Sequence, residues 1–312
     1  MSSYIVTGGA GFIGAAVAAK LIARGDQVLI IDNLSTGSIS QIPKGADFIE
    51  ADCQDASLYA QVPRYEYDAI FHIAGQSSGE ISFDDPIYDL QTNTQSTLLL
   101  LEFAKQVKCS RFIYASTMSV YGDQQDIPIS EMAATEPKSF YGVGKLASEH
   151  YMSIYRQYGI ESIALRLFNV YGPGQNMKNL RQGMVSIYLA QAFRDHKISI
   201  KGSADRFRDF IYIDDVVDAF LHFESTPFNE ELIFNIGTGV RTTVSELIDN
   251  ISKLLPFPVE ILYEGNTPGD VFGIRANCER ARLKVGWIAK TPLSAGLKSM
   301  ISWAQLADWS QS

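Results

Sequence analysis

The chain has 312 residues, so one large domain or two closely joined domains are expected, and its composition is that of an ordinary globular protein. The net charge of −9 argues against a nucleic-acid groove, which needs a basic stripe, and no apolar run is long enough to span a membrane. The three cysteines and four histidines show neither paired nor metal-ligand spacing, so we expect no disulfides and no metal site. The N-terminal residues do not resemble a signal peptide, so we expect a cytoplasmic protein.

The first predicted elements are a strand, a glycine-rich turn and a helix. Residues 4–7 are apolar and strand-forming, and from Ala15 apolar residues recur at helical spacing. Between them stand three glycines, Gly8, Gly11 and Gly14. Small residues in such a turn let a pyrophosphate approach the backbone, and the helix N-terminus offers it free N–H groups. The pattern alone is a weak signal, because Gly-rich turns before helices are common.

The end of the second predicted strand strengthens the signal. Residues 27–31 form an apolar run that ends at Asp32, close to where a carboxylate contacts the adenosine ribose in dinucleotide-binding folds. A carboxylate would repel a phosphate on that ribose, and neither Asn33 nor Leu34 supplies a cation. The sequence therefore predicts NAD rather than NADP as the cofactor.

Predicted strands and helices alternate along the first half of the chain. The predicted strands lie at residues 5–6, 28–31, 48–49, 69–73, 112–114 and 162–165, and the main helices lie near 90–106 and 142–158. This alternation predicts an α/β fold with a Rossmann-type, doubly wound parallel sheet whose ligands bind at the carboxyl ends of the strands. We divide the chain into an NAD-binding domain, residues 1–170 with 208–236 returning to it, and a smaller mixed α/β lobe, 171–312, that binds substrate.

The elements predicted for the C-terminal part are shorter and more irregular. They are a helix at 182–194, a strand at 209–213, a helix capped by Asp214 and Asp215, and a strand at 232–236. A further helix begins with the capping box formed by Thr243 and Glu246.

Hydroxyl-rich segments follow the fourth, fifth and sixth predicted strands, at residues 72–78, 115–122 and 166–174. Small and hydroxylic residues at strand ends let a cofactor lie close against the backbone. Serine-rich strand ends are also ordinary turn formers, so no single one of these segments identifies a site.

Tyr141 and Lys145 are the most informative pair. Four residues apart on a helix, their side chains share one face, and an ammonium beside a phenol favours the phenolate and lowers its pKa. Such a phenolate is a base for a sugar or alcohol hydroxyl, with Thr117 as a third member that orients the substrate oxygen. The spacing alone is common on surface helices, and its position after the dinucleotide-binding pattern is what favours catalysis.

Motifs from Thr7 to Asp270 together resemble one superfamily. They are residues 7–14 (TGGAGFIG), 32–37 (DNLSTG), Asp52, 72–75 (HIAG), Asn93, 116–122 (STMSVYG), Tyr141 with Lys145, 168–174 (FNVYGPG), 208–213 (RDFIYI) and 268–270 (PGD). The chain resembles the extended short-chain dehydrogenases/reductases, and among them the NAD-dependent nucleotide-sugar epimerases of the UDP-glucose 4-epimerase type.

The resemblance implies a role for each matching residue. Gly8, Gly11, Phe12, Ile13 and Gly14 would hold the pyrophosphate, Asp32 and Asn33 the adenosine ribose, and Asp52 and Cys53 would border the adenine. Ala74, Gly75 and Asn93 would line the cofactor cleft, Tyr141 and Lys145 would also contact the cofactor at the nicotinamide ribose, and Phe168 would lie near the nicotinamide. The implied substrate residues are Ser77, Thr117, Asn169, Arg208 and Asp270, with Arg208 clamping the diphosphate unless it is instead paired with Asp209.

The activity implied is epimerisation of a nucleotide-diphosphate sugar at C4 through a transient 4-keto sugar, with Thr117, Tyr141 and Lys145 as catalytic residues. A 4-ketosugar reductase and a non-catalytic NAD-binding sensor remain alternatives. The family's dehydratases, decarboxylases and GDP-fucose synthases are disfavoured, because they carry an Asp-Glu pair, a glutamate or a cysteine where this chain has Met118 and Ser119.

Two positions depart from the family pattern. Thr267 replaces an arginine that helps to clamp the diphosphate, and Ile274 occupies the position that gates N-acetyl sugars. The resemblance also implies a homodimer formed by the helices near residues 90–106 and 142–158, for which Leu98, Leu101, Ala147 and Tyr151 are candidate contacts. The same four side chains would equally suit packing against the chain's own sheet.

Overall fold

The computed structural model describes residues 1–124, 128–226, 233–265 and 271–306. The strands in these ranges are β1 (Ser3–Thr7), β2 (Gln27–Asp32), β3 (Asp47–Glu50), β4 (Ala69–His72), β5 (Arg111–Thr117), β6 (Pro128–Ile129), β7 (Glu161–Leu167), β8 (Asn169–Tyr171), β9 (Lys197–Lys201), β10 (Phe207–Arg208), β11 (Phe210–Tyr212), β12 (Ile233–Ile236), β13 (Thr242–Thr243), β14 (Glu260–Glu264) and β15 (Arg275–Ala276). The α-helices are α1 (Phe12–Ala23), α2 (Pro86–Leu90), α3 (Ser96–Gln106), α4 (Phe140–Tyr155), α5 (Met184–Asp195), α6 (Ile213–Ser225), α7 (Val244–Leu254), α8 (Glu279–Val285) and α9 (Leu293–Ala304).

Seven parallel strands form the central sheet in the order β12-β7-β5-β4-β1-β2-β3, which confirms the predicted doubly wound fold. β1 lies between β2 and β4, and Thr7 pairs with Ile31 on one side and His72 on the other. The chain runs outward from β1 in both directions, so the carboxyl ends of β1, β2 and β4 meet where the strand order reverses. A doubly wound sheet binds its ligand at this point.

Both faces of the sheet are buried. In β1, Val6 belongs to the core that includes α1 and α6, and its neighbour Ile5 belongs to the core that includes α3. Alternate side chains of a strand point to opposite faces, and helices cover both faces of a parallel sheet. Burial of each such aliphatic side chain contributes about 1.5–3 kcal/mol to the free energy of folding.

Several helix boundaries differ from the predicted ones. The helix predicted near 90–106 is interrupted by a π-helical turn at Gln91–Gln95. α6 begins at Ile213, so Asp214 and Asp215 lie in its first turn and do not cap it. Asp215 instead accepts hydrogen bonds from the backbone N–H groups of Lys290 and Thr291, at 3.0 and 2.9 Å. The capping box at Thr243 is present as predicted.

Short strand pairs bring parts of the C-terminal half of the chain to the sheet's carboxyl edge. β11 pairs with β8, and β12 joins the central sheet beside β7. Asp209, between β10 and β11, is buried and accepts hydrogen bonds from the backbone N–H groups of Thr238, Gly239 and Ala276. This carboxylate therefore ties three separate segments together beside the cavity described below. Within the described ranges, none of the helices combines the length and the apolar character needed to cross a membrane.

Candidate active site

A cavity of about 630 Å³ opens at the carboxyl ends of the central strands. Its wall includes most of the residues predicted for the cofactor and the substrate, namely Gly8, Gly11, Phe12, Ile13, Gly14, Asp32, Asn33, Asp52, Cys53, Ala74, Gly75, Ser77, Thr117, Tyr141, Lys145, Phe168 and Asn169. These residues come from separate stretches of the chain, and the fold brings them together on the wall of one cavity.

The turn between β1 and α1 is shaped so that no side chain fills it. Gly8 has a φ of +70°, and a Cβ there would lie 2.7 Å from the backbone nitrogen of Ala74. A Cβ on Gly14 would collide with the carbonyl of Gly8. Gly11 is the N-cap of α1 and provides no side-chain cap, which leaves the first N–H groups of the helix for a ligand. This cradle fits a diphosphate.

Asp32 and Asn33 supply hydrogen-bonding groups beside that cradle. The carboxylate of Asp32 is fixed by the backbone N–H groups of Ala10 and Leu34, at 3.0 and 2.8 Å. Asn33 Nδ2 donates to Asp52 Oδ2 at 2.7 Å. A fixed carboxylate accepts from ribose hydroxyls and repels a ribose phosphate, so the described residues suit NAD better than NADP.

A buried histidine holds the ends of β1 and β4 together, and sequence reasoning gave it no individual role. The Thr7 hydroxyl lies 2.8 Å from His72 Nδ1 and accepts from the backbone N–H groups of Ile73 and Ala74, each at 3.2 Å. On the other side, His72 Nε2 lies 3.1 Å from Thr97 Oγ1. Burial lowers the pKa of His72 to about 3, so the imidazole is neutral and serves as a fixed support for the cavity wall.

α4 carries Tyr141 and Lys145 into the cavity. Ser139 caps the helix by accepting from the backbone N–H of Gly142 at 3.1 Å. Lys145 Nζ donates to the carbonyl oxygen of Ala115 at 3.0 Å and lies 5.9 Å from the centroid of the Tyr141 ring. The helical spacing therefore places both side chains on the cavity wall next to the end of β5.

The pKa predicted for Tyr141 was wrong in direction. Burial raises the pKa of this phenol to about 12, and a hydrogen bond with Thr117 opposes the shift. Burial also lowers the pKa of the Lys145 ammonium to about 8, with Asp89 and Glu149 opposing the shift. The desolvation of both groups outweighs the attraction that the spacing alone suggested.

A buried ion pair behind the residues predicted to be catalytic was also missed. Glu149 of α4 accepts two hydrogen bonds from Arg166 of β7, at 2.9 and 2.6 Å, and one from Ser116 of β5 at 2.5 Å. The pair fixes the helix that carries Tyr141 and Lys145 against the sheet. Removing one partner of such a buried pair costs about 3–5 kcal/mol.

Side-chain amides from an irregular segment also line the cavity. Gln175, Asn176, Asn179 and Gln182 belong to its wall, and Gln182 Nε2 donates to Ser77 Oγ at 2.5 Å. Amides and hydroxyls both donate and accept, as sugar hydroxyls do. Nothing in the local sequence marked these residues, which lie in an irregular segment before α5.

Other predicted residues lie elsewhere. Asn93 is fully buried behind Gly75 and does not line the cleft, and Arg208 is buried and donates to the backbone oxygens of Val271 and Phe272 at 2.8 and 3.3 Å. Ile274, predicted as a gate, packs in the core cluster behind Phe168.

Thr267 and Asp270 fall outside the described residues. Within the described ranges no group of His, Cys, Asp and Glu side chains is arranged to bind a metal ion.

The chain is similar to several known enzymes over nearly its whole length. It is 33% identical to the UDP-glucose 4-epimerase of Mycolicibacterium smegmatis over 304 residues, which cover 95% of this chain and 96% of the relative. A crystal structure of UDP-glucose 4-epimerase with UDP-glucose from Thermotoga maritima matches with a TM-score of 0.91 and 35% identity, over 97% of this chain and 98% of that one. The Thermus thermophilus UDP-glucose 4-epimerase complex with NAD matches with a TM-score of 0.89 and 30% identity, over 98% and 100% of the two chains. The sequence profile of the NAD dependent epimerase/dehydratase family matches residues 4–237, and the protein belongs to that family.

Proposed function

We propose that the protein is an NAD-dependent nucleotide-sugar 4-epimerase that interconverts UDP-glucose and UDP-galactose or a similar pair. The observation that carries the proposal is the position of Thr117, Tyr141 and Lys145, which stand on the wall of one continuous cavity. The wall of that cavity also includes a turn suited to a diphosphate and several side-chain amides. Relatives that act on UDP-glucose cover the same length of chain.

The chain's own residues account for the proton transfer at the sugar. Bound NAD supplies a hydride acceptor and donor for C4. Tyr141 takes the proton from the C4 hydroxyl and returns it after the sugar ring has turned over, and Thr117 orients the oxygen. Lys145 stabilises the phenolate by its charge and keeps that charge close by its bond to Ala115. The nucleotide stays bound throughout, so that both faces of the sugar ring can react within one site.

The residues that follow Thr117 favour this reaction over elimination or decarboxylation. Thr117 caps the short helical turn Met118–Val120, and its hydroxyl accepts from the backbone N–H of Ser119 at 3.1 Å and donates to Ser119 Oγ at 3.2 Å. Ser119 therefore provides a neutral hydroxyl, and no carboxylic acid, beside Thr117 on the cavity wall. A 4-ketosugar reductase would need the same three catalytic residues, so an experiment must distinguish a reductase from an epimerase.

Chromatography of the reaction products separates these functions. The purified protein is incubated without added cofactor with UDP-glucose, UDP-galactose, their N-acetyl forms and UDP-glucuronic acid. An epimerase interconverts a C4 pair and reaches the same equilibrium from both sides. Absence of conversion, together with stoichiometric oxidation of NADH by a 4-keto sugar nucleotide, would instead establish a reductase.

We also propose a homodimer, because apolar side chains on one face of α4 and on α2 are exposed. Ile154 is 54% exposed, Val143 is 53% exposed and Ile87 is 66% exposed. Of the positions predicted from sequence, Leu101 is buried in this chain's own core and Leu98 packs against the same core, whereas Tyr151 is exposed. Two such helix faces from two copies would cover one another as a four-helix bundle.

The double change Ile87→Glu and Ile154→Glu is expected to convert the dimer to a monomer, because four carboxylates would be desolvated in the apolar contact. Light scattering after size-exclusion chromatography gives the mass directly. Leu283→Glu, at a 65% exposed position of α8, is the matched control and should leave the mass unchanged. A wild-type protein that is monomeric at micromolar concentration would refute this assembly.

A further inference from the structure

Asp89 is a carboxylate buried behind the cavity wall and has no role in the reaction described above. It lies in α2, directly before the π-helical turn at Gln91–Gln95. Such turns are frequent at functional sites. Here the turn places Thr92 on the cavity wall, and Asn93 lies behind it.

One carboxylate oxygen of Asp89 anchors the loop that follows β4. Oδ1 accepts from Gln76 Nε2 at 2.9 Å and from Asn93 Nδ2 at 3.2 Å. The same Gln76 amide donates to the carbonyl oxygen of Ser78 at 2.7 Å and accepts from its backbone N–H. Residues 75–77 line the cavity, so Asp89 fixes part of its wall through Gln76.

The other oxygen of Asp89 lies against α4. Oδ2 is buried and has no hydrogen-bond partner among the described residues. A Cβ on Gly144, the residue before Lys145, would lie 3.5 Å from it. Asn93 and Lys145 Nζ both lie beside Gly75, where a Cβ would be 3.5 Å from that ammonium. The absence of a side chain at Gly75 allows this close packing, because a Cβ there would collide with Asn93 Oδ1.

We propose that Asp89 is a positioning residue that keeps the Lys145 ammonium charged and holds residues 75–78 against the cavity. The proposal rests on the function proposed for Lys145. Glu149, the other carboxylate near this lysine, is already bound to Arg166. Of the two carboxylates near Lys145, Asp89 is therefore the one that no other cation pairs with directly among the described residues.

The charged groups around Lys145 support this assignment. The ammonium interacts with Asp89, Glu149 and the neutral His72, and Asp89 is the stronger of the two carboxylates in keeping its pKa from falling further. Burial raises the pKa of Asp89 to about 6, so it is ionised at neutral pH. Asp89 also raises the pKa of Tyr141, but less than burial does. Removing the charge of Asp89 should therefore act chiefly on Lys145, by lowering the pKa of its ammonium.

The test compares Asp89→Asn with Asp47→Asn, the same change at an exposed position of β3. Lysine labelled with ¹³C at Cε is titrated by NMR in the purified protein, and Lys145→Met assigns the resonance. The pKa of Lys145 is expected to fall by about one unit in Asp89→Asn, which moves the alkaline limit of turnover down by the same amount. Asp89→Glu should restore both values, and Asp47→Asn should change neither.

An unchanged Lys145 pKa in folded Asp89→Asn would overturn the proposal, whatever the turnover of that variant. Because the titration does not require turnover, a protein without epimerase activity would refute the proposed function and still decide the role of Asp89. If Asp89→Asn does not fold, the titration of the Lys145 resonance in the wild-type protein tests the proposal. It should show a second inflection near pH 6, where Asp89 titrates, and a curve without that inflection would contradict the proposal.

Discussion

Tyr141→Phe is expected to reduce turnover by about 10²–10⁴-fold while the protein keeps its NAD, because the change removes the proposed acid–base group and little else. The phenol oxygen is lost from the cavity wall, but the ring remains and continues to fill its buried position. The rate of conversion of UDP-galactose and the amount of NAD released on denaturation measure the two effects separately.

Tyr263→Phe is the matched control, since Tyr263 lies in β14 and its side chain is exposed. It should change neither the turnover nor the NAD content. A Tyr141→Phe protein with more than a tenth of the wild-type turnover would show that another group moves the proton. Loss of NAD together with loss of turnover would instead point to a binding role for the phenol.

Gly8→Ala is expected to abolish detectable NAD binding and to lower the free energy of unfolding by about 2–4 kcal/mol, because strain and overpacking add. The φ of +70° is unfavourable for alanine, and the new methyl group would lie 2.7 Å from the backbone nitrogen of Ala74. Backbone atoms of β1 and of the loop after β4 would have to separate. This separation would deform the turn that is suited to the diphosphate.

The control variant Gly159→Ala separates the effect of backbone strain at a positive φ from the effect of the close contact between Gly8 and Ala74. Gly159 has a φ of +80°, and a Cβ there meets no atom within 4 Å. This control should cost about 1 kcal/mol of stability through its backbone conformation and leave the NAD affinity unchanged. Urea unfolding gives the stability, and fluorescence titration gives the affinity. Equal losses of NAD affinity in the two variants would show that the close approach of Gly8 to Ala74 is unimportant.

The parts of the fold that depend on local pattern were predictable from sequence. Short continuous apolar runs located the sheet strands, because each strand of a parallel sheet is buried on both faces. The glycine turn before α1 and the capping box at Thr243 were recognised because their chemistry lies within a few consecutive residues. The pairing of Tyr141 with Lys145 on one helix face follows from the helical repeat alone.

Interactions between distant segments were not predictable in the same way. Glu149 looks like a surface residue in a helical sequence, and only the fold brings it to Arg166 and Ser116. The amide of Gln182 likewise acquires its partner Ser77 from a segment far along the chain. The direction of the Tyr141 pKa was wrong because sequence spacing shows a neighbouring charge and does not show the desolvation that opposes it.

The central claim is that hydride leaves and returns to C4 of the same sugar nucleotide within one site. UDP-galactose deuterated at C4 is incubated with the protein as purified, without added cofactor, and the products are examined by NMR and mass spectrometry. The account predicts UDP-glucose that retains the deuterium at C4. Product in which the deuterium has been replaced from solvent, or a substrate that stays unconverted while the N-acetyl forms also fail to react, would contradict it.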